Sequence, residues 1–167
     1  MNIIQKAKVF ATAAHAAVGQ KRKYTFEPYI VHPTEVAELV ATVTSNADMI
    51  AAAWLHDVIE DTQITEETIR VEFGDEVADL VMWLTDVSKP DDGNRSTRKA
   101  IDLEHTKNAS INAKTIKLAD IISNVRSISE HDPEFAKIYL EEKRAQLAVL
   151  TEGNQTLYEF AYEMIYT

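Results

Sequence analysis

Cysteine is absent from this 167-residue chain. That excludes disulfides and thiolate chemistry, and leaves His, Asp and Glu as the side chains able to hold a metal. Glycine and proline are scarce, at four each. So few breakers, among many Ala, Glu and Lys, exclude a turn-rich β fold and favour long helices. No uncharged run approaches the ~20 residues that span a bilayer. Lys6, Lys8 and His15 interrupt the Ala-rich start, so no export-signal core forms. A cysteine-free chain without such a signal is expected in the cytoplasm, with no membrane partner. Positive charge is also in deficit: 17 Lys and Arg face 27 Asp and Glu, a net charge of −10. A nucleic-acid polymer is a poor partner for that surface. A small anion is still served where cations cluster, at Lys21-Arg22-Lys23 and at Arg95, Arg98 and Lys99.

What is present is helical periodicity. Ile3, Ala7, Phe10, Ala14 and Val18 recur at helical spacing and predict a first helix over 3–18, with Gly19 as its stop. A loop over 20–32 follows, basic first and then aromatic. Pro33 suits the first position of a second helix, with Val36, Leu39, Val40 and Val43 on one face. A third, nearly all-apolar helix is predicted over 47–61, with Asp48 as a possible N-cap, and its composition makes it central. Helices over 65–73, capped by Thr65, and 75–87 precede a loop at 88–94, where Pro, Gly and Asp gather. Further helices are predicted over 96–108, 111–130 and from Pro133 to 150, with a last one after Gly153. No segment alternates like a strand. The expectation is an all-α helical bundle forming one domain over residues 1–167.

Chemistry concentrates in Ala51-Ala-Ala-Trp-Leu-His56-Asp57-Val-Ile-Glu60-Asp61-Thr62. His56 and Glu60 are four apart, as are Asp57 and Asp61, so each pair shares a helix face. Three carboxylates in so short a span repel one another, and a divalent cation would relieve them. A solvated acidic helix end explains this segment equally well. Two further segments tilt the balance. His32 immediately precedes a predicted helix start, and Asp120 sits among Ile116, Leu118, Ala119, Ile121 and Ile122, where an unpaired carboxylate is costly. Read alone, His32 suits a structural or surface role, and Asp120 suits a surface stripe with Lys117 and Asn124. Together, His32, His56, Asp57 and Asp120 make a two-His, two-Asp set suited to one Mn²⁺, with Fe²⁺ or Zn²⁺ behind it.

The order of several short motifs carries a resemblance. They are Phe10-Ala-Thr-Ala-Ala-His15, Gly19-Gln-Lys-Arg22-Lys23, Pro28-Tyr-Ile-Val-His32-Pro33, the His56-Asp57…Glu60-Asp61 stretch, Phe73-Gly74, Leu84-Thr85-Asp86, and Lys117-Leu-Ala-Asp120 with Asn124. In that order they resemble the HD-domain hydrolases of the RelA/SpoT superfamily over nearly the whole chain, in particular the small stand-alone alarmone hydrolases such as the metazoan SpoT homologues. The resemblance implies a helical fold around one Mn²⁺ held by His32, His56, Asp57 and Asp120. It implies catalytic roles for Glu60 and Asp61, and removal of the 3′-diphosphate of ppGpp or pppGpp as pyrophosphate. It implies substrate contacts from Arg22, Lys23, Asn124 and Tyr139; read alone, Tyr139 suits packing and Arg22-Lys23 a solvated loop. At this length there is no room for the synthetase and regulatory domains of the long enzymes, so degradation alone is expected.

The sequence departs from the family pattern in three places. Tyr24-Thr-Phe-Glu27 stands where relatives are more polar and contain glycine, Ile121 where they commonly have Lys, and Val87 where many have a second Asp. Two rival readings follow from the same residues. One is an HD nucleotidase, or a hydrolase of an adenosine alarmone or NADPH. The other is a silent HD module that binds a nucleotide or a protein. His15 is read as a structural or supporting residue, and His105 and His131 as surface residues.

Overall fold

The computed structural model describes residues 1–167 and contains ten α-helices, one short 3-10 turn and no strand. The only extended pairing is an isolated antiparallel bridge between Lys21 and Pro28. The all-α expectation is met. The chain divides into two compact units, Met1–Thr85 and Asp86–Thr167.

The first unit holds α1 (Ile3–Ala17), α2 (Val31–Val43), α3 (Ala47–Leu55), α4 (Val58–Asp61), α5 (Glu66–Phe73) and α6 (Asp75–Leu84). Helix α3 is its centre, as its composition predicts. Every residue from Met49 to Leu55 is buried, and α3 packs against α1, α2 and α6. The helices packed on it bury small residues, Ala7 and Ala11 of α1 and Ala37 of α2, beside larger ones such as Val36, Val40, Val77 and Val81. Small side chains let backbones approach closely, so the helix ends around α3 are tightly determined.

Four predicted boundaries change, each for a local reason. Helix α2 begins at Val31, so His32 lies inside its first turn, and Pro33, which needs no N–H partner there, follows it. Asn46, not Asp48, caps α3; its side chain accepts from the N–H groups of Asp48 and Met49. The helix predicted over 47–61 stops at Leu55 and resumes at Val58. Helix α6 stops at Leu84, with Thr85 already extended.

The second unit holds a 3-10 turn (Pro90–Asp92), α7 (Arg95–Lys107), α8 (Ile111–His131), α9 (Pro133–Ala148) and α10 (Gln155–Tyr166). Helix α8 is its core, packing against α9 and α10. Ile116, Leu118, Ile121 and Ile122 are fully buried. Gly153 lies close against α8, where a Cβ would come 2.7 Å from Leu118 Cδ1 and force that side chain to shift. No helix is long and apolar enough to cross a membrane.

Candidate metal centre

The break after α3 makes the centre. In a continuous helix the carbonyl of Ala53 would accept from the N–H of residue 57. Instead it accepts from Nδ1 of the His56 ring at 2.7 Å. The chain turns, and Asp57 adopts φ −103°, ψ 0°, in the sparsely populated bridge region where many active-site residues sit. With Nδ1 donating, the lone pair of His56 is on Nε2.

That Nε2 lies 3.2 Å from Nε2 of His32 and 3.1 Å from Oδ2 of Asp57. His32 Nε2 lies 3.6 Å from the same carboxylate oxygen. His32 is fully buried and His56 nearly so. Three ligand atoms from two separate segments thus converge on one point. Bonds of about 2.1 Å to a common metal place neighbouring ligands about 3.0–3.4 Å apart; two of these separations fall in that range and the third, 3.6 Å, is slightly wider. The facing Nε2 atoms of the two rings can share one hydrogen bond or both turn their lone pairs toward a cation. Tyr29 supports the site by donating its hydroxyl to Asp57 Oδ2 at 2.6 Å.

Asp61 ends α4, one turn beyond Asp57. Burial first, and then the nearby Asp57 charge, raise its carboxyl above the ordinary range; a hydrogen bond from Gln20 and the neighbouring His15 and His56 pull it back. A carboxyl held above the usual value is a stronger proton acceptor than an ordinary carboxylate. Glu60 is exposed on the same short helix.

The remaining predicted residues are placed as follows. Arg22 is half-buried in the loop after α1, with Glu35 3.8 Å away. Lys23 is exposed, its ammonium 5.3 Å from the Tyr24 ring. Asp120 belongs to the second unit, in the middle of α8. It is buried, contrary to a surface stripe, and accepts from Lys117 Nζ at 2.9 Å and from Asn124 Nδ2 at 3.1 Å. Tyr139 is buried in α9, with Lys143 Nζ 4.6 Å above its ring. His131 is exposed, but His105 is half-buried rather than on the surface.

Three residues of the first unit took no specific role from their pattern: Tyr29, Gln20 and His15. Tyr29 precedes His32 by three positions, which puts it on the same turn. Gln20 carries no such signal, because its partner Asp61 is 41 residues away.

An all-helical chain whose buried His, His-Asp and acidic residues meet in this order has the fold and site of an HD protein. Residues 7–147 match the HD domain family, and the chain belongs to it. It is 36% identical to the guanosine-3′,5′-bis(diphosphate) 3′-pyrophosphohydrolase MESH1 of Xenopus tropicalis over 136 residues, which cover 79% of this chain and 73% of that protein. It is 33% identical to the guanosine-3′,5′-bis(diphosphate) 3′-pyrophosphohydrolase of Aquifex aeolicus over 145 residues, covering 87% of this chain and 19% of that one. The chain spans about a fifth of the length of such longer relatives. Among solved structures it is similar to a metazoan ortholog of SpoT that hydrolyzes ppGpp and plays a role in starvation responses. That match has a TM-score of 0.89 at 26% identity and covers 99% of this chain and 95% of that one.

Proposed function

We propose that this protein is a metal-dependent hydrolase of guanosine alarmones, which removes the 3′-diphosphate of ppGpp or pppGpp as pyrophosphate and leaves GDP or GTP. The observation that carries this reading is the convergence of His32, His56 and Asp57 within 3.6 Å, one turn before the Glu60-Asp61 pair. The relatives named for this reaction support the substrate.

A divalent metal held by His32, His56 and Asp57 supplies Lewis acidity toward a water and a phosphoryl oxygen. Asp120 is proposed as the fourth ligand, on its motif and its burial. Mn²⁺ is the proposed ion, because the donors are nitrogen and oxygen without sulfur. Glu60 and Asp61 are the proposed proton-handling pair: one carboxylate takes the proton of the attacking water, and the proton goes on to the departing ribose 3′ oxygen. Arg22 and Lys23 offset the charge of the diphosphate. Asn124 and Tyr139 are the proposed nucleoside contacts. The matched stretch 7–147 runs from the first unit into the second, which supports reading residues 1–167 as one hydrolase domain. A chain without cysteine suits the cytoplasm, the proposed location.

The test is incubation with ppGpp and Mn²⁺, with and without EDTA, followed by separation of products. GDP and pyrophosphate are expected, and only with metal. Orthophosphate in place of pyrophosphate would make the protein a nucleotidase. Tight nucleotide binding with no metal-dependent turnover would make it a binding module.

A further inference from the structure

We propose that Gln20, itself oriented by the buried His15, is a positioning residue that aims the carboxylate of Asp61. The geometry is a chain of two hydrogen bonds. His15 Nδ1 lies 2.9 Å from Gln20 Oε1, and Gln20 Nε2 lies 3.1 Å from Asp61 Oδ2. The direction of both follows from chemistry. An ionised carboxylate only accepts, so Gln20 must turn its amide nitrogen toward Asp61. Its oxygen then faces His15, which must donate from Nδ1.

The backbone holds Gln20 in place on both sides. Its N–H donates to the carbonyl of His15, and its own carbonyl accepts from the N–H of Tyr29. Gly19, at φ +66°, supplies the reversal that returns the chain to the end of α1. Tyr29 in turn donates its hydroxyl to Asp57. One loop therefore delivers a separate donor to each of two acids on either side of α4, Gln20 to Asp61 and Tyr29 to Asp57.

His15 behaves as a residue retained for this task. It is 1% exposed, and its Nε2 is buried without a hydrogen-bond partner. An apolar residue would fill the same space without leaving a polar atom unpaired. Only the Nδ1 side of the ring is used, and it is used on Gln20.

This inference rests on the catalytic reading of Asp61, so its test includes that residue. Gln20→Met keeps the length and loses the donor. It is expected to lower kcat for ppGpp by about 10- to 100-fold, the range for residues that orient a working group, with KM and bound Mn²⁺ unchanged. His15→Phe is expected to do the same, and His15→Asn, which keeps an N–H near the Nδ1 position, to recover most of the loss. In an Asp61→Ala background neither change should cost anything further. Nitrogen-15 NMR of the wild-type protein should show the His15 proton on Nδ1. Full kcat in Gln20→Met while Asp61→Ala is impaired would overturn the relay alone. The same further loss in the Asp61→Ala background would do so too, as would a proton on Nε2 of His15. Full turnover in Asp61→Ala would overturn the catalytic reading of Asp61 and the relay with it.

Discussion

The two units place their polar groups differently. In the first, the polar side chains around the candidate centre lie at helix ends or in the loop between α1 and α2. His15 is in the last turn of α1, Gln20 and Tyr29 in the loop, His32 in the first turn of α2, His56 and Asp57 at the break, and Asp61 at the end of α4. Their contacts cross 24, 28 and 41 residues of sequence. In the second unit several polar residues of the helices pair with neighbours three or four positions away. Lys117 meets Asp120, Asp120 meets Asn124, Tyr139 meets Lys143, and Lys143 meets Gln146. The buried Asp102, Lys114 and Thr115 instead reach Ser88, Glu152 and Asn154 across 14, 38 and 39 residues of sequence. The contrast is physical. Helix ends can turn side chains from several elements onto one point and leave backbone groups free to help. A helix interior always offers its own i+3 and i+4 neighbours, and a distant partner only where another segment packs on that face.

The strongest way to break this comparison is to remove a proposed ligand from each unit. His56→Ala should lose bound metal and turnover together, by more than the about 10- to 100-fold expected for a supporting residue. Asp120→Ala should match it if the interior carboxylate is also a ligand. Metal analysis of both purified variants checks this, and full metal content in Asp120→Ala would return Asp120 to a purely local role with Lys117 and Asn124.

A smaller effect is expected at Tyr29. Tyr29→Phe removes only the hydroxyl that orients Asp57, so metal affinity should fall by about 10- to 100-fold while the fold persists. Competition with a chelator, read beside circular dichroism, measures both. Unchanged affinity would mean that Asp57 needs no outside support.

Lys143 tests the second unit. Burial first, then Lys117 and Lys99, depress its ammonium to about 7, against the opposing pull of Asp120 and Glu142. Its Nζ donates to Gln146 and lies over Tyr139. Below pH about 7 the group is charged in both folded and unfolded chains, and the burial penalty is fully present. Between that value and the ordinary lysine pKa the unfolded chain binds more protons, so stability from this residue rises with pH. Lys143→Met should therefore be more stable than wild type at pH 6.5, by about 1–3 kcal/mol, and the gap should narrow by pH 9. Urea unfolding at the two pH values decides it; a gap that widens would reverse the sign.

The smallest expected effect is at Phe26. This exposed residue holds φ +61°, where a side chain is strained. Phe26→Gly relieves about 1–2 kcal/mol of steric cost and loses about 0.5–1 kcal/mol to chain entropy, a net gain of up to about 1.5 kcal/mol. Phe26→Ala keeps the strain and should gain nothing. Thermal midpoints of the two variants separate them.

Much of this protein was determined by its sequence alone. The helical class follows from periodicity with few breakers, and α1, α5, α8 and α9 lie within two residues of their predicted bounds. The donor types of the centre follow from the absence of cysteine. The interior pairs of α8 follow from spacing, because one turn of helix brings Lys117, Asp120 and Asn124 together whatever surrounds them. The tertiary structure alone decided the rest. The stop at Leu55 depends on a side chain taking a backbone carbonyl, an exchange that hydrophobic spacing does not encode. The meeting of His32 with His56, of Tyr29 with Asp57 and of Gln20 with Asp61 depends on how α1 and α2 pack on α3, and packing between distant segments leaves no periodic trace in the chain.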